Sequence, residues 1–188
     1  MRIVAGNYKG FGLYISKNKN TRPLKDLVRE SVFNLMVHSK KISFQFKKSN
    51  ILDLYSGTGS FGLECLSREA NSVYFVEKDK NAFEVLKKNI EKLKLKNKTK
   101  IFFEDVVSFI NKKKIKIKFD IIFCDPPYKS TNIENLIELI IKENLVSKNG
   151  IIILHRNKKT KDTFPRTWKL IEERTYGVSK IMFGKILF

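Results

Sequence analysis

Residues 50–64 read NILDLYSGTGSFGLE: an apolar run ending near Asp53, then a turn carrying Gly57, Gly59 and Gly62 that leads into a helical pattern. Glycine lets the backbone approach a ligand closely or take positive φ, and a helix start offers free amide hydrogens to anionic groups. The unit predicts the first strand-turn-helix step of a doubly wound α/β sheet, where ligands bind beyond the carboxyl ends of the strands. Taken alone the glycine spacing also fits a plain tight turn. The string GTGSFG satisfies the G-x-G-x-x-G of nicotinamide and flavin proteins too, so residues further along must decide.

Outward from this stretch, strands and helices alternate. NILDLY is followed by a helix over about 61–69, SVYFVE (72–77), a helix over about 80–93 and KIFFED (100–105). A short helix, FDIIFCD (119–125), a helix over about 132–144 and GIIILH (150–155) complete the series. Apolar strand cores between helices predict a mostly parallel sheet covered on both faces. The tail differs: TWKLIEERTYG (167–177) and SKIMFGKILF (179–188) predict a closing antiparallel hairpin that turns near Gly177. Before the core, RIVAGNYKGFGLYIS (2–16), broken by glycines, predicts a short hairpin or irregular arm. TRPLKDLVRESVFNLMVHS (21–39) has Leu27, Val28, Val32, Leu35 and Met36 at the spacing of an amphipathic helix.

With 188 residues the chain is sized for one well-filled core. We divide it into an arm and helix over 1–40 and a core over 41–188, within one compact domain. No apolar run is long enough to span a membrane and no signal-peptide core follows the start, so a cytoplasmic protein is expected. Cys65 and Cys124 lie apart without cysteine or histidine partners, which suggests neither zinc nor a disulfide. The net charge of +19 favours polyanionic partners. The lysine runs KKNIEKLKLKNKTK (87–100) and NKKKIKIK (111–118) read equally well as solvated faces.

The strand ends carry the chemistry. Asp53 closes the first, Glu77 the second and Asp105 the third. A carboxylate at the second end can accept both hydroxyl hydrogens of a ribose. After the fourth strand comes DPPY, Asp125 to Tyr128. Its prolines fix φ and lack amide hydrogens, leaving rigid carbonyl acceptors, while Asp125 adds a charged acceptor and Tyr128 a flat ring. Together they suit a planar base with an exocyclic amine, stacked on the ring and donating to Asp125 and a proline carbonyl. Hydride transfer needs no such arrangement.

These motifs resemble those of S-adenosylmethionine-dependent amino-methyltransferases. The fuller set, with MRIVAGNYKG, TRPLKDLVRESVFNLM and the late ERTYGVSKIMF, resembles the bacterial 16S ribosomal RNA guanine-N2 methyltransferases of the RsmD type. The resemblance implies a Rossmann-like class I methyltransferase fold with a seven-stranded sheet. It implies transfer of a methyl group from S-adenosyl-L-methionine to N2 of one guanine of 16S rRNA during assembly of the small subunit, by a monomer that uses no metal. It assigns Asp53, Tyr55, Gly57, Gly59, Glu77, Asp105 and Val106 to the cofactor, and Asp125, Pro126 and Tyr128 to catalysis. Arg22, Arg29, Pro127 and Tyr128 go to the RNA. Relatives often carry an acid where this chain has His155, which we expect to be a strand-end histidine without catalytic work; His38 reads as a helix-end residue. The same DPPY chemistry leaves an adenine-N6 methyltransferase of DNA or RNA as the alternative.

Overall fold

The computed structural model describes residues 1–16, 26–42, 44–112, 115–127 and 132–187. Helix α1 (Asp26–His38) precedes strand β1 (Asn50–Leu54), helix α2 (Ser60–Ser67), β2 (Ser72–Glu77) and α3 (Lys80–Lys92). After one turn of 3-10 helix (Lys96–Lys98) come β3 (Thr99–Phe103), α4 (Val106–Lys112), β4 (Phe119–Cys124) and α5 (Ile133–Lys142). The chain closes with β5 (Val146–Asn157), β6 (Trp168–Tyr176) and β7 (Ser179–Ile186). His38 is the last residue of α1, at an exposed position.

The seven strands form one sheet in the order β3-β2-β1-β4-β5-β7-β6. Strands β1 to β5 pair in parallel, and β7 runs antiparallel between β5 and β6. The hairpin turns at Gly177, φ 60°. From β1 the chain crosses first to β2 and β3, then back to β4 on the other side. This reversal opens a crevice at the carboxyl ends of β1 and β4.

Alternation along the strands splits the core into two layers. Ile51, Ile121, Phe123, Ile151 and Ile153 pack on one face with α2, α3 and the amino-terminal segments. Leu52, Leu54, Ile122, Cys124, Ile152 and Leu154 pack on the other with α4 and α5. In the first layer Phe33 of α1, Phe61 of α2 and Phe123 of β4 stack in series, with centroids 5.1 and 4.0 Å apart. Burying each ring contributes about 2 kcal/mol and each ring pair about 1 kcal/mol more. The series fixes β4 just two residues before Asp125.

The arm is a short hairpin with one bridge, Arg2 to Gly12, in which Ile3 N donates to Phe11 O at 3.0 Å and Leu13 N to Met1 O at 2.9 Å. Others of its amides find side chains. The buried Glu64 of α2 accepts from Val4 N (2.8 Å) and Ala5 N (3.0 Å), and Ser67 Oγ accepts from Tyr8 N (3.0 Å). Gly6 sits so close to Ser67 that a Cβ there would stand 1.9 Å from its carbonyl oxygen, so no other residue fits. Ile3, Leu13, Val28 and Phe33 belong to the same apolar cluster as Ile51 and Phe123, so arm and α1 complete the core layer.

Candidate active site at the carboxyl edge of the sheet

The glycine turn is built by hydrogen bonds that reach across the sheet. Asp53, at the end of β1 and 1% exposed, accepts from Gly62 N at 3.0 Å, which ties the strand end to the first turn of α2. Gly59 precedes α2 at φ 85°, and a Cβ there would lie 2.4 Å from Leu86 Cδ1. Both conformation and space therefore demand glycine. Tyr55 also takes a left-handed φ of 58°, unusual for a side chain of its size. Such strain persists where the surroundings over-determine it, commonly at functional sites.

Glu77 at the end of β2 is buried and accepts from Gly57 N and Asp79 N, both at 2.7 Å. It therefore clamps the glycine turn to the start of α3, where Asp79 Oδ1 caps the helix through Ala82 N at 2.8 Å. Asn89 of α3 donates to the carbonyls of Thr58 (3.0 Å) and Tyr14 (3.1 Å), joining the turn to the arm. Asp105 follows β3, bonded to Lys78 Nζ at 3.1 Å and Val107 N at 3.0 Å. Val106 beside it is buried at the start of α4.

Asp125 follows β4, its amide reaching Leu54 O of β1 at 3.4 Å. Pro126 is buried and Pro127 exposed. The turn is gripped from the neighbouring strand. His155 Nδ1 stands 2.7 Å from Asp125 Oδ1, and Arg156 Nη1 donates to Pro127 O at 3.4 Å. Arg156 itself is 1% exposed and forks onto Asp162, with Nη2 to Oδ1 at 2.9 Å and Nε to Oδ2 at 3.1 Å.

Three carboxyl groups thus share one crevice. Burial raises the Asp53 carboxyl well above its ordinary range, and the charges of Asp125 and Glu77 push it further, against the Gly62 amide. Burial likewise raises the Tyr55 phenol and the Cys124 thiol, so Cys124 is an apolar filler and no nucleophile. Asp105 differs: burial raises it, but the bonds from Lys78 and Val107 outweigh that and hold it low. Within a chain of net charge +19, the crevice is a local acidic site suited to a cationic ligand.

The expected cofactor residues Asp53, Tyr55, Gly57, Gly59, Glu77, Asp105 and Val106 all come to this edge, with Asp125, Pro126 and Pro127. Tyr128 and Arg22 lie outside the described residues. Arg29 requires a correction. Expected to face RNA, it is fully buried, and its Nη2 donates to Arg2 O at 2.5 Å, so in this structure the guanidinium pins the arm to α1. His155, expected to be a strand-end histidine without catalytic work, lies near the end of β5 with its ring against the Asp125 carboxyl group. The contact follows from strand pairing. Ile121–Cys124 and Ile151–Leu154 are matched four-residue cores, and parallel register puts the following Asp125 and His155 side by side. Among the described residues no group of three or more His, Cys, Asp or Glu is placed to hold a metal ion. No helix there is long and apolar enough to cross a membrane.

Comparison with known proteins agrees with this architecture. A family model described as Conserved hypothetical protein 95 matches residues 1–185. Ribosomal RNA small subunit methyltransferase D of Haemophilus influenzae is 31% identical over 179 residues, 95% of this chain and 90% of that protein. The protein of the same name from Buchnera aphidicola subsp. Baizongia pistaciae is 34% identical over 176 residues, 93% of this chain and 86% of that one. Among solved structures, yhhF of Escherichia coli superposes with a TM-score of 0.84 at 26% identity, covering 99% of this chain and 97% of that one. HI0767 of Haemophilus influenzae gives 0.79 at 30%, covering 100% and 98%. The strand-end acids, the DPP turn and these likenesses together place the chain in the family described as Conserved hypothetical protein 95, that of the RsmD-type methyltransferases of small-subunit ribosomal RNA.

Proposed function

We propose that this methyltransferase uses S-adenosyl-L-methionine to methylate the exocyclic N2 of one guanine in 16S ribosomal RNA, in the cytoplasm, on a partly or fully assembled small subunit. The observation that carries the reading is the exit of β4. There Asp125, held through Oδ1, stands beside two prolines, one strand away from the acid that closes β1 and two from the acid that closes β2.

The donor set fits the cofactor. Asp53 and Glu77 suit a ligand that bears both an ammonium and a sulfonium, and Glu77 suits ribose hydroxyls. A Cβ built on Gly57 meets no heavy atom within 4 Å, so the space over the turn is open to a ligand. When bound, S-adenosyl-L-methionine supplies an electrophilic methyl group on positive sulfur. Asp53, Tyr55, Gly57, Gly59, Glu77, Asp105 and Val106 hold it there.

The chain's own residues supply orientation. Asp125 and the Pro126 carbonyl accept from the two amine hydrogens of the guanine, which turns the nitrogen lone pair toward the methyl group. Arg156 donates to the Pro127 carbonyl, and we assign the Pro126 carbonyl as the proline acceptor. A base amine shares its lone pair with the ring, so holding the amine in reactive geometry is the main contribution. Asp125 then accepts the proton released after transfer. The guanine reaches this pocket by leaving its stack, and Tyr128 offers a ring against which it can rest.

Docking falls to the arm and the lysines of α3 beside it. Lys92 Nζ bonds to Gly12 O at 2.6 Å and lies 4.8 Å from the ring centre of the exposed Tyr14. Beside them, Tyr14 and Ile15 face Asn81, Val85 and Lys88 of α3 across an open cleft. We assign this side, with Arg22, to ribosomal phosphate and sugar contacts, which position the RNA without reading its sequence.

The test is incubation with labelled S-adenosyl-L-methionine and, separately, unmodified 16S RNA, partly assembled small subunits and duplex DNA, followed by digestion to nucleosides. N2-methylguanosine from a ribosomal substrate is expected. Label in N6-methyladenine would overturn the substrate.

A further inference from the structure

Two consecutive residues near the end of β5, His155 and Arg156, engage the DPP turn. We propose that His155 is a positioning residue for Asp125, with Arg156 bracing the turn behind it; the proposal rests on the reading that Asp125 holds the base amine.

The strand register brings the partners together. β4 and β5 pair in parallel from Ile121–Ile151 to Cys124–Leu154, so Asp125, just past β4, stands beside His155, which β5 still pairs with Ile181 of β7. Their side chains are 22% and 7% exposed, in a setting where little water competes for the bond. A carboxylate only accepts, so Nδ1 of the imidazole donates to Oδ1. The terminal torsion of an aspartate is broad and roughly two-fold, and by itself leaves the carboxylate plane free to swing. The His155 bond selects one orientation. Among the described residues Oδ2 makes no hydrogen bond, so it is the oxygen presented to the amine.

Arg156 fixes the other half of the turn. Asp162 neutralises it through the fork, and Thr160 Oγ1 bonds Asp162 Oδ2 at 3.0 Å, so the segment after β5 holds the guanidinium in place. Nη1 then meets the Pro127 carbonyl. Asp125 and Pro127 flank Pro126, and both are held by β5. The Pro126 carbonyl is therefore kept at a set angle to the carboxylate, as two-point recognition of an amine requires.

The experiment compares wild type with His155→Ala and His155→Asn, since the asparagine amide can donate from near the position of Nδ1. In His155→Ala, kcat should fall by ~10- to 100-fold, the range for a lost hydrogen bond to a charged group. KM for S-adenosyl-L-methionine should stay within ~2-fold, because the cofactor residues lie on other strands. His155→Asn should recover kcat to within ~3-fold of wild type by restoring the donor. A purely structural role predicts equal impairment of both variants in step with their unfolding midpoints. Either that pattern or an unchanged kcat in His155→Ala overturns the proposal.

A second measurement keeps the inference separable from the substrate. The chain has two histidines, so the side-chain nitrogen resonances of His155 are assigned by their loss in His155→Asn. An exchange-protected Nδ1–H signal is expected in wild type and should vanish in Asp125→Ala. Its absence from wild type overturns the positioning role even if N2-methylguanosine forms. Its presence, with no methylated guanine from any ribosomal substrate, upholds the contact while the substrate reading fails.

Discussion

At the carboxyl ends of β1 and β2 the chain buries Asp53 and Glu77, with the half-buried Asp125 after β4, whereas the segments entering β1, β3 and β4 carry exposed lysines. Lys47 and Lys48, then Lys94, Lys96 and Lys98, then Lys116 and Lys118 crowd that amino-terminal edge. The two edges belong to the same strands and differ in charge and in solvation. Exposed lysines are screened beyond about 8 Å at physiological ionic strength, and each exposed ion pair is worth little. The acids stand where water is scarce, so their mutual repulsion and their amide bonds shape the crevice. The lesson is that the chain's large positive charge describes its outer field, while the candidate site is a small region of opposite sign.

The comparison breaks most readily at Asp125. Its replacement by alanine should lower single-turnover methyl transfer at least ~100-fold, the scale of a lost transition-state hydrogen bond, while calorimetry finds cofactor affinity nearly unchanged. An unaffected rate would remove the carboxyl edge from the mechanism. Next comes Glu64→Ala, which strips acceptors from Val4 N, Ala5 N and the Arg68 guanidinium. A loss of about 3 kcal/mol in urea unfolding is expected, with faster hydrogen exchange over 4–8 than in the sheet. Uniform exchange along the chain would show that the arm is not held at this point.

Glu77→Gln keeps the shape and removes the charge that Gly57 N and Asp79 N address. Cofactor binding should weaken about 10-fold, measured by titration calorimetry. Asp53 sharpens the contrast through pH. Burial raises its carboxyl above the ordinary 3.8, so between the unfolded and folded values the native state binds more protons than the unfolded one. Stability then falls as pH rises through that window. Asp53→Asn retains an acceptor for Gly62 N without this penalty. Its urea midpoint should gain on wild type as pH climbs above 3.8, and a constant gap would contradict the desolvated carboxyl. At the far edge, changing Lys94, Lys96 and Lys98 together to glutamine should alter methylation of small subunits by less than ~2-fold, as expected of solvated charges. A steep drop would make that edge a docking surface.

Much of this was legible in residue order. The change from helical to strand periodicity and the turn chemistry at 57–62 predicted the alternating sheet, and the observed helices end within two residues of their expected bounds. The acids were legible as well, because each directly follows or ends an apolar run. The arm was legible as a short hairpin or irregular segment, but the pairing of its amides at Val4, Ala5 and Tyr8 with Glu64 and Ser67, some sixty residues away, was not. Local pattern carries no trace of such partners. Arg29 shows the same limit: its place beside Val28 on α1 gave no sign that the guanidinium turns inward onto the Arg2 carbonyl.

The sequence by itself determined which residues close each strand, because strand length and the side-chain period of two are properties of the local chain. Strand order and register are decided only when distant segments compete for the same hydrogen bonds and the same buried faces. That competition placed β5 beside β4, and with it His155 on the carboxylate and Arg156 behind the proline turn.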